Sequence, residues 1–120
     1  MKHYLSGPMS GLPSLNFPAF EAAAQVLRAM GVDLLSAHEI PHDEPAGQIG
    51  TLPWSVYLRT DLKHLLECDA LILLPGWPAS RGAQVELGVA LALGMPVAFF
   101  APETGELISM QRWSDEGGIS

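Results

Sequence analysis

One stretch of the sequence, residues 71–94, restricts the possible fold more than any other. It starts with the apolar run Leu-Ile-Leu-Leu, which is followed by Pro-Gly-Trp-Pro-Ala-Ser and then by a long, mostly apolar segment. A short continuous apolar run is typical of a strand buried on both faces, and the proline and glycine after it indicate a tight turn. Helical periodicity follows over residues 81–93, with Ser80 as a candidate N-cap. The stretch therefore predicts a strand–loop–helix unit of a parallel α/β sheet.

A single carboxylate, Glu86, lies inside this predicted helix, whose apolar face we assign to Val85, Val89, Leu93 and the alanines around them. Ionised carboxylates inside apolar helices are uncommon unless a partner compensates for the burial. A strand end, a tight loop and a helix N-terminus also form a ready site for an anion or a sugar phosphate. We therefore interpret Glu86 as a candidate catalytic nucleophile beside such a site.

The rest of the chain alternates between predicted strands and helices. Predicted strands cover residues 3–6, 32–37, 69–74 and 96–101, and predicted helices cover residues 17–31, 54–67 and 81–93. This alternation predicts a small doubly wound α/β fold (Rossmann- or flavodoxin-like), in which a parallel sheet carries helices on both faces. Ligands bind at the carboxyl ends of the strands in such folds. Residues 6–11, His38 and residues 75–80 are therefore expected along one edge of the sheet.

Helix ends and buried stripes follow from the same pattern. Asn16 is the predicted N-cap of the first helix and Gly31 is its predicted terminator. The predicted buried stripes are Phe20, Ala24, Leu27 and Met30 on the first helix, and Leu58, Leu62, Leu65 and Leu66 on the second. Residues 38–53 have the composition of a long loop, and loops of this length are often functional. The segment after residue 101 has the composition of a polar tail with one apolar patch at Leu107, Ile108 and Met110.

Length and charge exclude several classes of function. The 120 residues suffice for one domain, which we expect to span residues 1–120. Six Lys and Arg against thirteen Asp and Glu give a net charge of −7, which disfavours binding to a nucleic-acid polymer or to an anionic membrane. No apolar run approaches the roughly 18 residues of a membrane span, and no leader pattern opens the chain, so we expect a soluble, cytoplasmic protein. The single cysteine, Cys68, excludes an internal disulfide framework.

The segment His38-Glu39-Ile40-Pro41-His42 matches the letters of the zinc-protease motif H-E-x-x-H. That chemistry needs both histidines on one face of a helix, and Pro41 would break such a helix. We therefore predict no metal and no cofactor, and we favour His38 as a polar residue that lines a pocket.

Other candidate residues each have an ordinary structural interpretation beside the functional one. The turn from Gly7 to Gly11 (G-P-M-S-G) lacks the spacing of a dinucleotide fingerprint and the lysine of a P-loop. It can serve only as a tight turn, or its backbone N–H groups can hold a phosphate. Asp61 can be a solvated helix residue, Tyr4 a core aromatic residue and Ser80 only an N-cap.

Four segments together resemble a known superfamily. They are Y-L-S-G-P-M-S-G-L from Tyr4, D-L at Asp61, C-D-A-L-I-L-L-P-G-W from Cys68, and S-R-G-A-Q-V-E-L-G-V-A from Ser80. The pattern resembles the nucleoside 2-deoxyribosyltransferase superfamily over residues 3–110. Within it, the chain looks closest to small phage- and prophage-type (DUF4406-like) proteins that begin Y-x-x-G-P-M-[ST]-G-L, and it is also similar to the 2′-deoxynucleoside 5′-monophosphate N-glycosidases.

The resemblance implies roles for individual residues. Glu86 matches the nucleophilic glutamate that attacks the anomeric carbon, Tyr4 the tyrosine that positions it, and Asp61 the aspartate that orients the sugar and transfers a proton to the departing base. Ser80 matches a serine that binds the 5′-phosphate, and Ser109 matches a serine that reaches the phosphate of a neighbouring subunit, so a homodimer with sites near its interface is expected. The candidate substrate- and phosphate-binding residues are Gly7, Met9, Ser10, Gly11, His38, Ser80, Arg81, Gly82 and Ser109.

In one place the chain departs from the glycosidase pattern, which carries an arginine in the first loop where this sequence has Met9-Ser10. Arg81 is our candidate for supplying the missing charge. The expected function is hydrolysis of the N-glycosidic bond of a (2′-deoxy)nucleoside 5′-monophosphate. The alternatives are transfer of deoxyribose between bases and a non-catalytic module that binds or sequesters a nucleotide.

Overall fold

A five-stranded sheet forms the centre of the computed structural model, which describes residues 1–44 and 50–111. The strands are β1 (Lys2–Ser6), β2 (Asp33–Ser36), β3 (Ala70–Leu73), β4 (Val97–Ala101) and β5 (Glu106–Ser109). The helices are α1 (Phe17–Ala29), α2 (Trp54–Leu66) and α3 (Arg81–Ala92). The four predicted strands and three predicted helices are all present, each with ends within two residues of the prediction.

The strand order is β2-β1-β3-β4-β5, with the first four strands parallel and β5 antiparallel to β4. The chain moves from β1 to β2 in one direction and then from β2 through β3 to β4 in the other. Right-handed crossovers therefore place α1 on one face and place α2 and α3 on the other, where they contact each other. This arrangement confirms the predicted doubly wound α/β fold, and its topological switch point lies between β1 and β3.

The strand β5 was not predicted, because its sequence was assigned to a polar tail. A tight turn in which the N–H of Gly105 donates to the carbonyl of Ala101 (2.8 Å) returns the chain alongside β4. Leu107 and Met110 then pack against the core. Four residues with two half-buried side chains carry too little alternation to indicate a strand without knowledge of the neighbouring edge.

The ends of α1 differ from the prediction in one respect. Gly31 ends the helix region with φ of +86°, as predicted. Asn16 stands at the N-cap position but makes no capping hydrogen bond. Its side-chain amide donates instead to the carbonyl of Pro8 (2.9 Å), so Asn16 fastens the first loop to the start of α1.

The buried helix faces are narrower than predicted. Met30 is 58% exposed because α1 has already ended, and Leu66 is 59% exposed in the last turn of α2. On α3 the prediction was wrong for Leu93, which is 58% exposed. The residues that α3 buries are Ala83, Glu86, Leu87 and Ala90. Glu86 therefore lies on the inner face of α3, among the side chains that pack against the sheet.

Candidate active site

Two loops meet at the carboxyl ends of β1 and β3, which is where this fold binds ligands. The N–H of Leu74 donates to the carbonyl of Ser6 (2.8 Å). A Cβ at Gly7 would lie 2.8 Å from the Cβ of Leu74, and one at Gly76, which has φ of +86°, would lie 3.2 Å from Pro8. Glycine at these two positions is therefore what allows the loops to pack together. The predicted convergence of residues 6–11 and 75–80 is present.

Glu86 points from α3 into this region and is only 5% exposed. The hydroxyl of Ser6, itself 1% exposed, donates a hydrogen bond of 2.6 Å to Glu86 Oε1. The second oxygen, Oε2, is buried and has no hydrogen-bond partner among the described residues. The carboxylate is thus held by one oxygen while the other is free.

The surroundings of Glu86 set its ionisation near neutral pH. Burial raises the pKa of Glu86 from its ordinary value of 4.5 to about 7, against the lowering effects of the Ser6 and Tyr4 hydroxyls, and the charge of Asp61 raises it further. Both forms of the carboxyl are therefore populated near pH 7. A carboxylate that is desolvated but still ionisable is suited to act as a nucleophile.

Tyr4 lies two residues before Ser6 on β1, so both side chains face α3. Tyr4 is fully buried, and its hydroxyl forms no hydrogen bond within residues 1–44 and 50–111. Burial, and then the charges of Glu86 and Asp61, raise the pKa of Tyr4 well above its usual range. The phenol therefore stays protonated and can donate a hydrogen bond beside the carboxylate.

Asp61 on α2 completes the group. Burial raises the pKa of Asp61 above its usual range, and the nearby His42 and His64 lower it less. His42 Nε2 lies 2.9 Å from Asp61 Oδ1. Because the charge of Asp61 raises the pKa values of both Tyr4 and Glu86, the three predicted catalytic residues from β1, α2 and α3 share one electrostatic environment.

Sequence reasoning missed two residues of this group, Ser6 and His42. Ser6 could have been found from the alternation of β1, because residues two apart on a strand share a face with Tyr4. His42 was considered only as the second histidine of a metal motif. Its contact with Asp61 joins residues 19 positions apart across a loop, and no local pattern indicates it.

The N-terminus of α3 lies about one and a half helical turns before Glu86. Ser80 is its N-cap, as predicted, since the Ser80 hydroxyl oxygen accepts a hydrogen bond of 3.2 Å from the N–H of Ala83. The Arg81 guanidinium carbon lies 3.9 Å from the ring centre of Trp54, a cation–π contact. A Cβ at Gly82 would meet no atom within 4 Å, so the first turn of α3 is open there.

In the first loop, Met9 is half-buried against the core, whereas Ser10 and Gly11 are exposed. Gly11 has φ of +79°, and the N–H of Leu12 donates to the carbonyl of Met9 (3.2 Å). The loop is therefore a tight turn whose backbone lies beside the β1 carboxyl end.

His38 occupies the neighbouring carboxyl end of β2. Its Nδ1 lies 2.5 Å from the hydroxyl oxygen of Ser36, and its ring contacts Phe17 and Phe20 at centroid distances of 5.4 and 5.5 Å. Burial lowers the pKa of His38. No described contact joins His38 to Glu86, and residues 37–39 form a single 3₁₀ turn rather than the helix a zinc protease needs.

Ser109 lies at the opposite edge of the sheet. It pairs with Ala98 near the amino end of β4, whereas Ser6 and Ser80 follow the carboxyl ends of β1 and β3. An open cavity of about 460 Å³ borders Ser109 and is otherwise lined by Leu91, Met95, Pro96, Val97, Met110 and Gln111. Within one chain, Ser109 does not join the other candidate residues.

The described ranges also bear on metals and membranes. Within residues 1–44 and 50–111, no group of three or more His, Cys, Asp or Glu side chains is arranged to hold a metal ion. No helix in the same ranges is long and apolar enough to cross a membrane.

Comparison with solved structures finds relatives over most of the chain. The structure is similar to a 2-deoxyribosyltransferase from the psychrotolerant bacterium Bacillus psychrosaccharolyticus, with a TM-score of 0.64 and 26% identity over 100% of this chain and 93% of that chain. It is also similar to a conserved protein from Enterococcus faecalis V583, with a TM-score of 0.61 and 25% identity over 82% of this chain and 62% of that chain. No curated protein matches the sequence significantly.

A family model agrees with these structural comparisons. The model of a domain of unknown function, DUF4406, matches residues 1–99. Together with the deoxyribosyltransferase neighbour, this match confirms the resemblance predicted from the sequence. The chain belongs to the DUF4406 family, within the nucleoside 2-deoxyribosyltransferase-like superfamily.

Proposed function

We propose that this protein hydrolyses the N-glycosidic bond of a (2′-deoxy)nucleoside 5′-monophosphate, releasing the nucleobase and (deoxy)ribose 5-phosphate. The observation that carries the proposal is the state of Glu86, which is buried, held at Oε1 by Ser6 and free at Oε2. The similarity to a 2-deoxyribosyltransferase supports the same bond as the target.

The reaction would proceed in two displacements. In the reactive form the two carboxyl groups hold one proton, with Asp61 protonated and Glu86 ionised. Glu86 Oε2 attacks C1′ while the N-glycosidic bond breaks, and Asp61 gives its proton to the departing base. The product of this step is a glycosyl ester on Glu86 and an ionised Asp61. Water then attacks C1′, its proton passes to Asp61, and the ester bond breaks to return the Glu86 carboxylate. The cycle needs no external proton and no cofactor.

The neighbouring hydroxyls would serve the nucleophile. Ser6 holds Oε1 and so leaves Oε2 directed at the sugar. The neutral phenol of Tyr4, with its hydroxyl unpaired among the described residues, is placed to orient the carboxylate in the bound complex. Both groups stabilise the ionised form of Glu86, which is the form that attacks.

The phosphate would bind where the two loops meet the N-terminus of α3. Backbone N–H groups at the start of a helix attract anions, and the Ser80 hydroxyl proton remains available because its oxygen accepts the capping bond. Arg81 lies over the Trp54 ring, and its guanidinium N–H donors, which form no hydrogen bond among the described residues, can bind an anion.

An Arg81→Ala variant tests this part of the proposal. Loss of the guanidinium should raise KM for a deoxynucleoside monophosphate about tenfold, since one charge-assisted contact is lost. KM for the matching nucleoside should change less than about twofold. Equal changes for both substrates would remove Arg81 from the phosphate site.

Ser109 enters the proposal only through a second copy of the chain. Since it lies at the far edge of its own sheet, it can complete a phosphate site only in a partner subunit of a homodimer. Light scattering of the purified protein should give twice the mass of one chain. Ser109→Ala should then weaken monophosphate binding without weakening nucleoside binding.

Deoxyribosyl transfer between bases is the second candidate, favoured by the deoxyribosyltransferase neighbour. One assay separates the possibilities. The protein is incubated with dAMP, dCMP, dGMP, dTMP and the matching nucleosides, with and without a second base, and free base is followed by chromatography. Release without an acceptor supports hydrolysis, and product only with an acceptor supports transfer. Measurable binding with no release by either route would support a non-catalytic nucleotide-binding module.

A further inference from the structure

A histidine from residues 40–44, here called the segment after β2, lies against the proposed proton donor Asp61. His42 Nε2 and Asp61 Oδ1 are 2.9 Å apart, with side chains that are 17% and 25% exposed. The His42 ring also meets the ring of Tyr57 edge-on, with centroids 5.1 Å apart. His42 thus reaches a partly buried carboxyl group from outside α2.

The position of this segment does not depend on the contact between His42 and Asp61. Tyr57 lies one helical turn before Asp61 on α2 and donates its hydroxyl proton to Glu44 (2.5 Å). The same hydroxyl oxygen accepts from the N–H of Leu52 (3.1 Å), and Glu44 also accepts from the N–H of Gly50 (2.5 Å). Tyr57 therefore fastens Glu44 and Leu52 to α2 without His42.

The charged and titratable groups that face Asp61 come from every element packed around it. His42 comes from the segment, His64 from α2, Tyr4 from β1 and Glu86 from α3. His64 directs its Nδ1 at the carbonyl of Thr60 (2.9 Å), so His42 alone among these groups forms a hydrogen bond to Asp61 within the described residues. Burial opposes the ionisation of Asp61, whereas His42 and, less strongly, His64 favour it.

We propose that His42 is a positioning residue for Asp61, which it holds by Oδ1 so that Oδ2 faces the leaving base. This inference rests on the proposed role of Asp61 as proton donor and acceptor. After the base has left with the proton of Asp61, the imidazole N–H stabilises the carboxylate that remains. The same contact then keeps Asp61 oriented to take the proton of the attacking water.

Three variants separate positioning from loop anchoring. His42→Phe keeps the ring packing on Tyr57 but removes the hydrogen bond, His42→Gln keeps a donor, and Tyr57→Phe removes the loop fastening but keeps its ring. On whichever deoxynucleoside monophosphate the wild type cleaves, His42→Phe should lower kcat at least about tenfold with KM changed less than about twofold. His42→Gln should recover a large part of kcat, and Tyr57→Phe should stay within about threefold of wild type.

A second readout does not need activity. The carboxyl carbon of Asp61 is titrated by ¹³C NMR in the wild type and in His42→Phe, where the midpoint should move to higher pH because a group that favours ionisation is lost. An unchanged midpoint, an unchanged kcat in His42→Phe, or equal losses in His42→Phe and Tyr57→Phe would overturn the inference. Absence of base release by the wild type would reject the proposed function instead.

Discussion

The two carboxyl groups of the candidate active site lie in regions with different chemistry. At the contact between β1 and α3, Glu86 is almost fully buried and its neighbours are two neutral hydroxyls, Ser6 and Tyr4. At the contact between the segment after β2 and α2, Asp61 is a quarter exposed and its partner is a histidine. Neutral donors suit a carboxylate that must attack, and a titratable partner suits one that gives and takes a proton.

The substitution Glu86→Gln removes the proposed nucleophile from this pair of carboxyl groups. Glu86→Gln keeps the size of the side chain but replaces the attacking oxygen by an amide, so kcat for base release should fall about a thousandfold or more. Steady-state kinetics and calorimetric binding of a deoxynucleoside monophosphate measure the two effects separately. Affinity should stay within about threefold of wild type, because the phosphate contacts remain.

The exposed carboxylate Glu103 provides the matched control, since Glu103→Gln removes the same charge from the surface. It should leave kcat unchanged. Turnover retained by Glu86→Gln would remove Glu86 from its role.

The same substitution should stabilise the fold above neutral pH. The pKa of Glu86 is about 7 when folded against an ordinary 4.5, so the folded state binds its proton more tightly than the unfolded chain. That contribution to stability is fully present below about pH 4.5 and is lost as the pH rises through 7. We therefore subtract the free energy of unfolding of wild type from that of Glu86→Gln. This difference should be about 3 kcal/mol larger at pH 8.5 than at pH 4.

Urea unfolding of both proteins across pH 4–9 gives this difference directly, since all other titrating groups are shared. A difference that does not grow with pH would mean that Glu86 is solvated when folded, and the contrast with Asp61 would then be lost.

The next variant acts on the other carboxyl group. Asp61→Asn cannot supply a proton to the base, so kcat should fall about a hundredfold. Removal of the Asp61 charge also lowers the pKa of Glu86, so the midpoint of the Glu86 carboxyl carbon in a ¹³C NMR titration should move to lower pH. A fall in kcat with a midpoint that does not move, or moves upward, would show that the two carboxyl groups do not interact.

Ser6→Ala should move the Glu86 midpoint in the opposite direction, with a smaller effect on turnover. Without the hydrogen bond from Ser6, the pKa of Glu86 rises above about 7 and less of it is ionised at neutral pH. The value of kcat/KM should fall about tenfold at pH 7, and the ¹³C midpoint of Glu86 should move to higher pH. Ser55→Ala on the exposed side of α2 is the control. A loss of activity with an unchanged midpoint would indicate a structural defect instead.

The sequence predicted the parts of the fold and of the candidate site that depend on local patterns. The apolar run of β3, the turn after it and the capped helix α3 could be identified, and a lone carboxylate in that helix drew attention to Glu86. The buried face of α3 was predicted in part: Ala83 and Ala90 are buried and Val89 packs against the core, whereas Leu93 is exposed and Leu87 is buried in its place.

What could not be predicted depends on long-range contacts. The strand β5 exists because the edge of β4 accepts it, and the His42 contact exists because the segment after β2 is fastened across α2. Neither leaves a periodic signal in its own residues. Ser6 could have been predicted to share a strand face with Tyr4. Its role, however, depends on the hydrogen bond that it donates to Glu86, which the sequence does not indicate.

The most direct test of the central role of Glu86 is detection of the covalent intermediate. The enzyme is mixed with the deoxynucleoside monophosphate that it cleaves, quenched with acid during turnover, digested and examined by mass spectrometry. A deoxyribose 5-phosphate adduct on Glu86, absent from the Glu86→Gln variant, is the predicted result. An adduct on another residue would contradict the proposed mechanism, as would base release by wild type with no adduct at any quench time.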